Sequence, residues 1–565
     1  DIYQRFKTYA VNHYREAREV NAVCQHLSEF QKGVDMKNNA SRRRFIQLGL
    51  ASATAGSLAT LLPVQASAQR KSTGINWDEE MDILVVGTGM AGFTAAIRAA
   101  ETTPGMKIVI ADKMSRLGGS SLISGLNMAV VGSQWQKEAG ITDDSWELLL
   151  ADIEKEARGY NHSDLTKTIA QNTLSLFDFL CDHGVEFDKT IGNGTGIKAL
   201  GGHSRPRCVW PVNGGSGIVK SLQKYAKHNL PNIDIRKQVL LEEIIRNETG
   251  RVIGVRVREN YIFNREVKDF GLNDSPDFNS TGTPKYYRVT RGLVMATGGY
   301  NQDRKFRGDE VGALYNSVST ANPGATAGAL KAMIKAGLKP IHMTLFRFAF
   351  PIPTEDILWG ILVNPRTCKR FVDEYNNNDR QGLGLKILSE RMKIDGEQII
   401  LIYDQTGIDN YHDKQRLNLS LEGKNGTEGT MWKFDTLEAL ASNFNMDLHK
   451  LRQTIEEYNR DMAGDKDKFG KPRSLLKTSV TIGKAPFYAM WLNPRYNYSQ
   501  GGAMINSEAR PLDVVTEQPI PGIFVCGEAS AGSYGYIRLT ACGSLDCGVF
   551  GMIAGENAAK ENPES

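Results

Sequence analysis

Met81-Asp-Ile-Leu-Val-Val-Gly-Thr-Gly-Met-Ala-Gly92 decides the fold. Residues 83–86 are a short apolar run rich in β-branched side chains, the pattern of a strand buried in a parallel sheet. Gly87, Gly89 and Gly92 follow with G-x-G-x-x-G spacing, and residues 93–100 read as a helix. Gly87 permits the tight turn, Gly89 lets backbone approach a pyrophosphate, and Gly92 lets the helix pack close to the strand. Met90 and Ala91, between the glycines, belong to the same turn, and the helix N-terminus offers N–H groups and a positive dipole to phosphate. A second strand, residues 107–111, leads to Asp112, twenty residues past Gly92, where a carboxylate is expected to meet a ribose hydroxyl. A glycine-rich turn alone would be weak. Strand, glycines, helix, strand and acid within about thirty residues describe a dinucleotide-binding βαβ unit.

The residues after Asp112 choose between dinucleotides. In Lys113-Met-Ser-Arg-Leu-Gly118-Gly119-Ser120-Ser121-Leu-Ile-Ser-Gly125 a second glycine- and serine-rich turn can lie along a dinucleotide stretched over the sheet edge. Here the chain resembles the two-dinucleotide-fold flavoproteins, which bind FAD. Within them it resembles the fumarate reductase and succinate dehydrogenase flavoprotein family, in its soluble periplasmic branch. That family's Glu-Lys-x-x-x-x-Gly-Gly-x-(Ser/Thr) stretch is matched from Asp112 to Ser121, with Asp in place of Glu. The fold this implies is α/β. A Rossmann-like FAD-binding domain, residues 69–343 and 499–565, would be interrupted by an α+β capping domain, residues 344–498.

Two further stretches stand in the family's order. Arg291-Gly-Leu-Val-Met-Ala296-Thr297-Gly298-Gly299-Tyr is a buried strand ending in a Gly-Gly turn that closes over the dinucleotide. Pro519-Ile-Pro-Gly-Ile-Phe-Val-Cys-Gly-Glu528-Ala is a strand returning to the flavin domain. Gly543-Ser544-Leu545-Asp opens a last helix whose N-terminus, by resemblance, points at the flavin and stabilises negative charge on the reduced ring. Val239 falls in the region that resembles the adenine-side strand. Between the motifs, residues 233–238, 240–246 and 251–257 read as strands of a small inserted meander. Residues 262–286 read as a loop, and 435–441 and 446–460 as polar helices.

Composition fits an ordinary globular enzyme, and a net charge of +4 over 565 residues gives no case for nucleic acid. Met36 is the first methionine. Ser41-Arg-Arg-Arg-Phe-Ile, the weakly apolar residues 48–64 and Ala66-Ser-Ala68 make a charged n-region, an h-region and an A-x-A cleavage site. They resemble a twin-arginine signal peptide over residues 36–68, which implies a periplasmic protein exported folded with its cofactor. Gly, Ser, Thr and Pro63 interrupt the apolar run, so it is a poor membrane span, and no stable membrane insertion is expected. Residues 1–35 read as a non-domain extension. The cysteines are scattered, with no C-x-x-C pair, and neither attached haem nor a metal site is expected.

The resemblance implies an FAD-dependent oxidoreductase acting on CH–CH bonds, an anaerobic terminal reductase of an unsaturated carboxylate. Hydride passes from flavin N5 to the β-carbon, and a protein acid protonates the α-carbon. Arg538, in Tyr534-Gly-Tyr-Ile-Arg-Leu, matches the family's carboxylate-binding arginine, whose planar fork suits the task. The family's proton-donor arginine follows a motif recognisable in Cys368-Lys-Arg-Phe-Val-Asp-Glu374. Asn378 stands at the expected spacing and Arg380 two residues on, so either Arg380 is the donor or the donor is lost.

Other family positions differ. His-His-Thr-Met-Gly-Gly becomes Asn497-Tyr498-Ser499-Gln500-Gly501-Gly502, and His-Pro becomes Phe350-Pro351. The Glu-x-x-Arg proton relay is not evident, although Glu355 and Asp356 are candidates to contribute. Fumarate is therefore not the expected substrate, and a larger or aromatic acrylate, as in urocanate-reductase-like enzymes, fits better. Tyr498 is a candidate to hydrogen-bond substrate or flavin; packing in the cap is the alternative. His203 and His342 read as structural. Electrons would come from a separate cytochrome or quinol dehydrogenase. Two rival functions remain: a flavin dehydrogenase of the 3-ketosteroid type, and a non-catalytic flavin electron-transfer partner.

Membrane-complex members of the family attach FAD through a histidine at the position of Ser120, which has no nucleophilic ring nitrogen. Non-covalent FAD is expected. Mild acid precipitation should leave all flavin in the supernatant; a yellow pellet would contradict this.

Overall fold

A computed structural model of the chain describes residues 74–263, 281–375, 379–425, 429–464, 466–472 and 481–563. The stretch expected to be a signal peptide, the extension expected before it, Asn378 and most of the 262–286 stretch expected to be a loop lie outside these residues.

The opening motif forms the strand Glu79–Val86 and the helix Met90–Thr102, so the helix begins inside the glycine turn rather than at Phe93. Glu79–Val86 pairs in parallel with Ile108–Asp112 on one side and with Thr283–Met295 on the other. Ile233–Lys237 extends the sheet beyond Ile108–Asp112, again in parallel. The residues of Ile108–Asp112 are all buried, as a parallel strand covered on both faces requires.

Thr283–Met295 is thirteen residues long and divides its second edge between two partners. Its first half pairs antiparallel with Val252–Glu259, from Thr283 opposite Glu259 to Arg288 opposite Gly254. Its second half pairs in parallel with Ile523–Val525, Met295 lying opposite Val525. Leu240–Arg246 continues beyond Val252–Glu259. The meander expected as a separate insert is therefore an antiparallel extension of the main sheet, carried by one strand that outlasts its parallel neighbours.

The helix Gly543–Lys560 packs on Met90–Thr102 at backbone distance. A Cβ on Gly555 would lie 2.1 Å from the Ala95 carbonyl oxygen, and one on Gly551 2.9 Å from that of Ala91. Alanines on the first helix and glycines on the last make this approach possible.

Residues 346–499 have a different texture. Ile361–Val363, Ile400–Tyr403, Phe487–Trp491 and Met431–Phe434 form a separate four-stranded antiparallel sheet with two apolar clusters of its own. The helices Leu437–Asn443 and Leu448–Ala463 start two residues later than the apolar spacing predicts, because Thr436 and Asp447 cap them with side-chain oxygens. An ionic cluster crosses this region. Arg370 binds Glu374 (2.7 Å) and Asp467 (2.6 Å), and Lys471 lies 3.5 Å from Glu374, every side chain at most 4% exposed.

Burial disfavours the Glu374 charge, but Arg370 and Lys471 more than offset it, and its carboxyl lies below the ordinary range. Asp467 is lowered in the same way, against burial, by Arg370. Acids with depressed folded-state pKa values stabilise the protein above their unfolded pKa values and lose that contribution as pH falls through the folded ones. Glu374→Gln should leave excess positive charge buried and cost about 3–5 kcal/mol, seen as a lower urea midpoint at neutral pH that converges toward wild type in acid.

Candidate active site

All parallel strands of the main sheet end at one edge, and the glycine turns start from those ends. Gly87 follows Val86, Lys113 follows Asp112, Ala296 follows Met295, and Cys526 follows Val525. Together with Val239 they surround an elongated cavity of about 940 Å³. Of the residues expected to hold FAD, Gly87, Gly89, Ala91, Asp112, Lys113, Gly119, Ser120, Ser121, Val239, Ala296, Thr297, Gly298 and Glu528 line it. A second cavity opens beside it, bordered by Gly125, Tyr498, Arg538, Gly543 and Ser544. Ser120, Ser121, Glu528 and Cys547 line both, so the two run into each other.

Five of the expected residues line neither cavity, and each has a structural task, for Gly92 the packing expected of it. Gly92 packs the helix on the turn, since its Cβ would lie 1.9 Å from the Gly87 carbonyl oxygen. Gly118, at φ +109°, packs beside Leu122 and Val219. Gly299 is hemmed in by Ser499, Asn301 and Glu528, and Leu545 is fully buried in the core. The Met90 N–H donates to Ser121 Oγ at 3.1 Å, which ties the two glycine-rich turns together rather than presenting Met90 to the cavity.

Asp112 lies in the cavity wall, but its oxygens already take protein donors. The Thr88 N–H reaches Oδ2 at 3.1 Å, the Thr88 hydroxyl bonds the same oxygen, and the Met114 N–H reaches Oδ1 at 2.8 Å. Oδ2 is thereby filled, but Oδ1 keeps a second lone pair, so a ribose hydroxyl can still be accepted there. Burial raises this carboxyl, and Thr88 and Met114 counter it. Thr297 Oγ1, also in the wall, is buried without a hydrogen-bond partner. The Gly89 Cβ position opens toward Ser121 Oγ, 3.2 Å away. A bare turn, an orphaned hydroxyl and a carboxylate along one cavity that runs on into a wider one fit FAD. Ser120 Oγ accepts the Asn322 N–H at 3.1 Å.

Arg538, Tyr498 and Gly543 come together in the wall of the second cavity. The Arg538 guanidinium lies 4.5 Å from the Tyr498 ring centroid. It also rests on Gly543, whose Cβ would be 2.9 Å from Arg538 Cζ, at the N-terminus of Gly543–Lys560. A cation there adds to the positive end of the helix dipole, so an anion is favoured by both. The Arg538 Nε is buried without a partner. Tyr498 is directed inward: its hydroxyl donates to Asp546 Oδ2 at 3.3 Å, and Ser533 Oγ donates to Oδ1 at 3.1 Å. Burial pushes Asp546 up to about 7, against both hydrogen bonds and Arg538.

Arg380 begins the helix Arg380–Met392 and borders a smaller pocket with Arg538 and Glu355. Its Nη2 donates to Glu355 Oε1 at 3.4 Å. Burial lowers its pKa, Glu355 works against that, and Arg538 adds repulsion. Of the two acids that the sequence offered, Glu355 is the one in contact with Arg380. Asp356 is fully buried and accepts the His412 N–H at 2.6 Å, a structural task. His203 donates to the Thr540 carbonyl at 2.8 Å and supports the Arg538 loop. His342 packs against His162, ring centroids 6.0 Å apart, outside all three cavities.

Sequence reasoning missed Arg347, which borders both substrate-side cavities. The signal was available as a lone charge inside Leu345-Phe-Arg-Phe-Ala-Phe350, where an apolar strand has no structural use for a cation.

Cavity, glycine turns and buried acids define an FAD-dependent oxidoreductase. Residues 82–545 match the FAD binding domain family, and the chain belongs to it. It is 30% identical to the acrylate reductase flavoprotein subunit of Shewanella woodyi over 543 residues, 92% of this chain and 98% of that one. It is 28% identical to urocanate reductase of Eggerthella lenta over 502 residues, 85% of this chain and 75% of that one. Among solved structures, the open conformation of a flavocytochrome c3 fumarate reductase superposes with a TM-score of 0.68 at 25% identity, covering 89% of this chain and 85% of that one. No helix among the described residues is long and apolar enough to cross a membrane.

Gly89 has φ −68°, which any residue adopts, so Gly89→Val should fold. Its side chain would enter the cavity, and the purified variant should show a much lower ratio of flavin to protein absorbance with an unchanged far-ultraviolet circular dichroism spectrum.

Proposed function

We propose that this protein reduces the C=C bond of an α,β-unsaturated carboxylate, and that residues 344–498 cap the flavin domain to form the site. The observation that carries the reading is the pairing of Arg538 with Arg380 across one small pocket beside the FAD cavity. The chemistry supplied by bound FAD is hydride transfer to the substrate β-carbon. Arg538 grips the carboxylate through its planar fork, and the helix N-terminus behind it favours the negative charge that builds on the substrate. Arg380 delivers a proton to the α-carbon. An arginine at its ordinary pKa is a poor acid, and burial and the Arg538 charge make this one a better donor. Glu355, half exposed and in contact with Arg380, returns the proton from solvent.

The similarity to acrylate and urocanate reductases supports the substrate class. The open cavity bordered by Phe350 and Tyr498, in place of the family's histidines, supports an acid larger than fumarate, such as an aryl acrylate. Arginines at the pocket oppose the ketosteroid alternative, because a neutral steroid would leave buried guanidinium groups unpaired. We further infer non-covalent FAD, export by the twin-arginine route, and electron supply from a separate cytochrome or quinol dehydrogenase.

The test is oxidation of dye-reduced holoenzyme by a panel of unsaturated acids. At least one should reoxidise the flavin catalytically. Arg538→Ala should raise KM at least about tenfold with flavin retained. Arg380→Met should lower kcat by about 100-fold or more with KM little changed. If KM is untouched in Arg538→Ala, the carboxylate reading fails.

A further inference from the structure

The strand Phe346–Ala349 pairs antiparallel with Arg495–Ser499, and Arg347 stands opposite Tyr498. Phe346 and Phe348 turn into the core and meet edge to face, centroids 5.0 Å apart. Alternation along the strand directs Arg347 to the other face, toward the two substrate-side cavities. It is only 9% exposed. Nη1 donates to Asn497 Oδ1 at 3.0 Å and Nη2 to Thr540 Oγ1 at 3.4 Å, while Nε has no partner. Both partners are neutral.

The electrostatics run the same way. Burial, then repulsion from Arg380 and Arg538, pull Arg347 well below the usual arginine value, and Glu355 opposes them. A buried guanidinium with two like charges nearby and neutral hydrogen-bond partners is a poor structural element. It becomes favourable when an anion arrives between the charges.

Where that anion sits follows from the walls. The open cavity is bordered by Ser120, Phe350 and Tyr498, the inner pocket by Arg380, Glu355 and Glu156. Arg347, Arg538 and Thr540 border both. Arg347 bonds the Thr540 hydroxyl, and Arg538 Nη1 donates to the adjacent Leu539 carbonyl at 3.4 Å, so the two guanidinium groups are anchored on neighbouring residues of one loop.

We propose that Arg347 is a second carboxylate-binding residue, which with Arg538 and the Thr540 hydroxyl clamps a single carboxylate of the substrate where the two cavities meet. The inference rests on the unsaturated-carboxylate reading. A carboxylate offers about four acceptor sites, enough for two guanidinium forks. Arg380 is then left to its proton, and the clamp sets specificity: an amide in place of the acid leaves a buried guanidinium unpaired and is rejected. A substrate needs one acidic head, and a second carboxylate is not required.

The experiment uses oxidised, FAD-loaded protein titrated with trans-cinnamate, acrylate and the neutral cinnamamide, followed by flavin difference spectra, with dye-linked turnover in parallel. Wild type should bind at least one acid and discriminate against the amide. Arg347→Met should raise Kd and KM about 10- to 100-fold with a smaller change in kcat, and lose the preference for acid over amide. Arg347→Lys, which keeps charge without the fork, should fall between. If Arg347→Met loses its flavin, Arg347→Lys is decisive: a raised Kd supports the clamp and an unchanged one overturns it. Unchanged Kd and KM in Arg347→Met, loss of kcat alone, or a wild type that binds neither acid overturns the proposal. Arg347-dependent binding without reduction of any acid would leave the clamp standing and sink the reductase reading.

Discussion

Parallel pairing along Thr283–Met295 is the constraint on which the rest depends. Parallel strands share a direction, so every turn that leaves a carboxyl end leaves at the same edge. Glycine motifs that are far apart in sequence, at Gly87, Gly119 and Gly298, are thereby collected along one cavity, and Glu528 joins them from the returning strand. The same strand has surplus length, which holds the antiparallel extension of the sheet. Backbone hydrogen bonding in the sheet thus places the dinucleotide residues before any side chain chooses a partner.

The substrate side follows a different logic. Its groups are buried charges, and burial alone would neutralise them or drive them out. Arg380 is opposed by Glu355, Asp546 accepts from Tyr498 and Ser533, and Glu528 accepts from the Ser499 N–H at 2.9 Å and from its hydroxyl. Acids and arginines are raised and lowered respectively by the same loss of water, so both stand nearer to proton exchange than they would on a surface.

Legibility in the sequence tracks these two logics. The βαβ unit, its cofactor and its edge were readable because turns at positive φ and close helix packing demand glycine, and the demand leaves a spaced pattern: Gly87 against Ala296, Gly92 against Gly87. Met90, Gly118, Gly299 and Leu545 share that pattern but serve packing, a distinction that spacing cannot carry. The arginine cluster was half readable. Arg538 and Arg380 sit in motifs, whereas Arg347 shows in the sequence only as a lone charge in an apolar run, and strand pairing with Tyr498 brings it to them. Glu355 was half readable: the sequence offered it beside Asp356, and only the fold shows which of the two meets Arg380.

The seam between Gly543–Lys560 and Met90–Thr102 has a consequence for the order of assembly. The helix that opens from the first glycine turn is backed by a helix far along the chain, and Ile523–Val525 completes the sheet from almost as far. Contacts spanning so much of the chain form late and slowly. The nucleotide pocket therefore closes only when segments distant in sequence have docked. Docking of the two helices and completion of the pocket are thereby one event, and loosening that seam at Gly551 or Gly555 would open the pocket from behind.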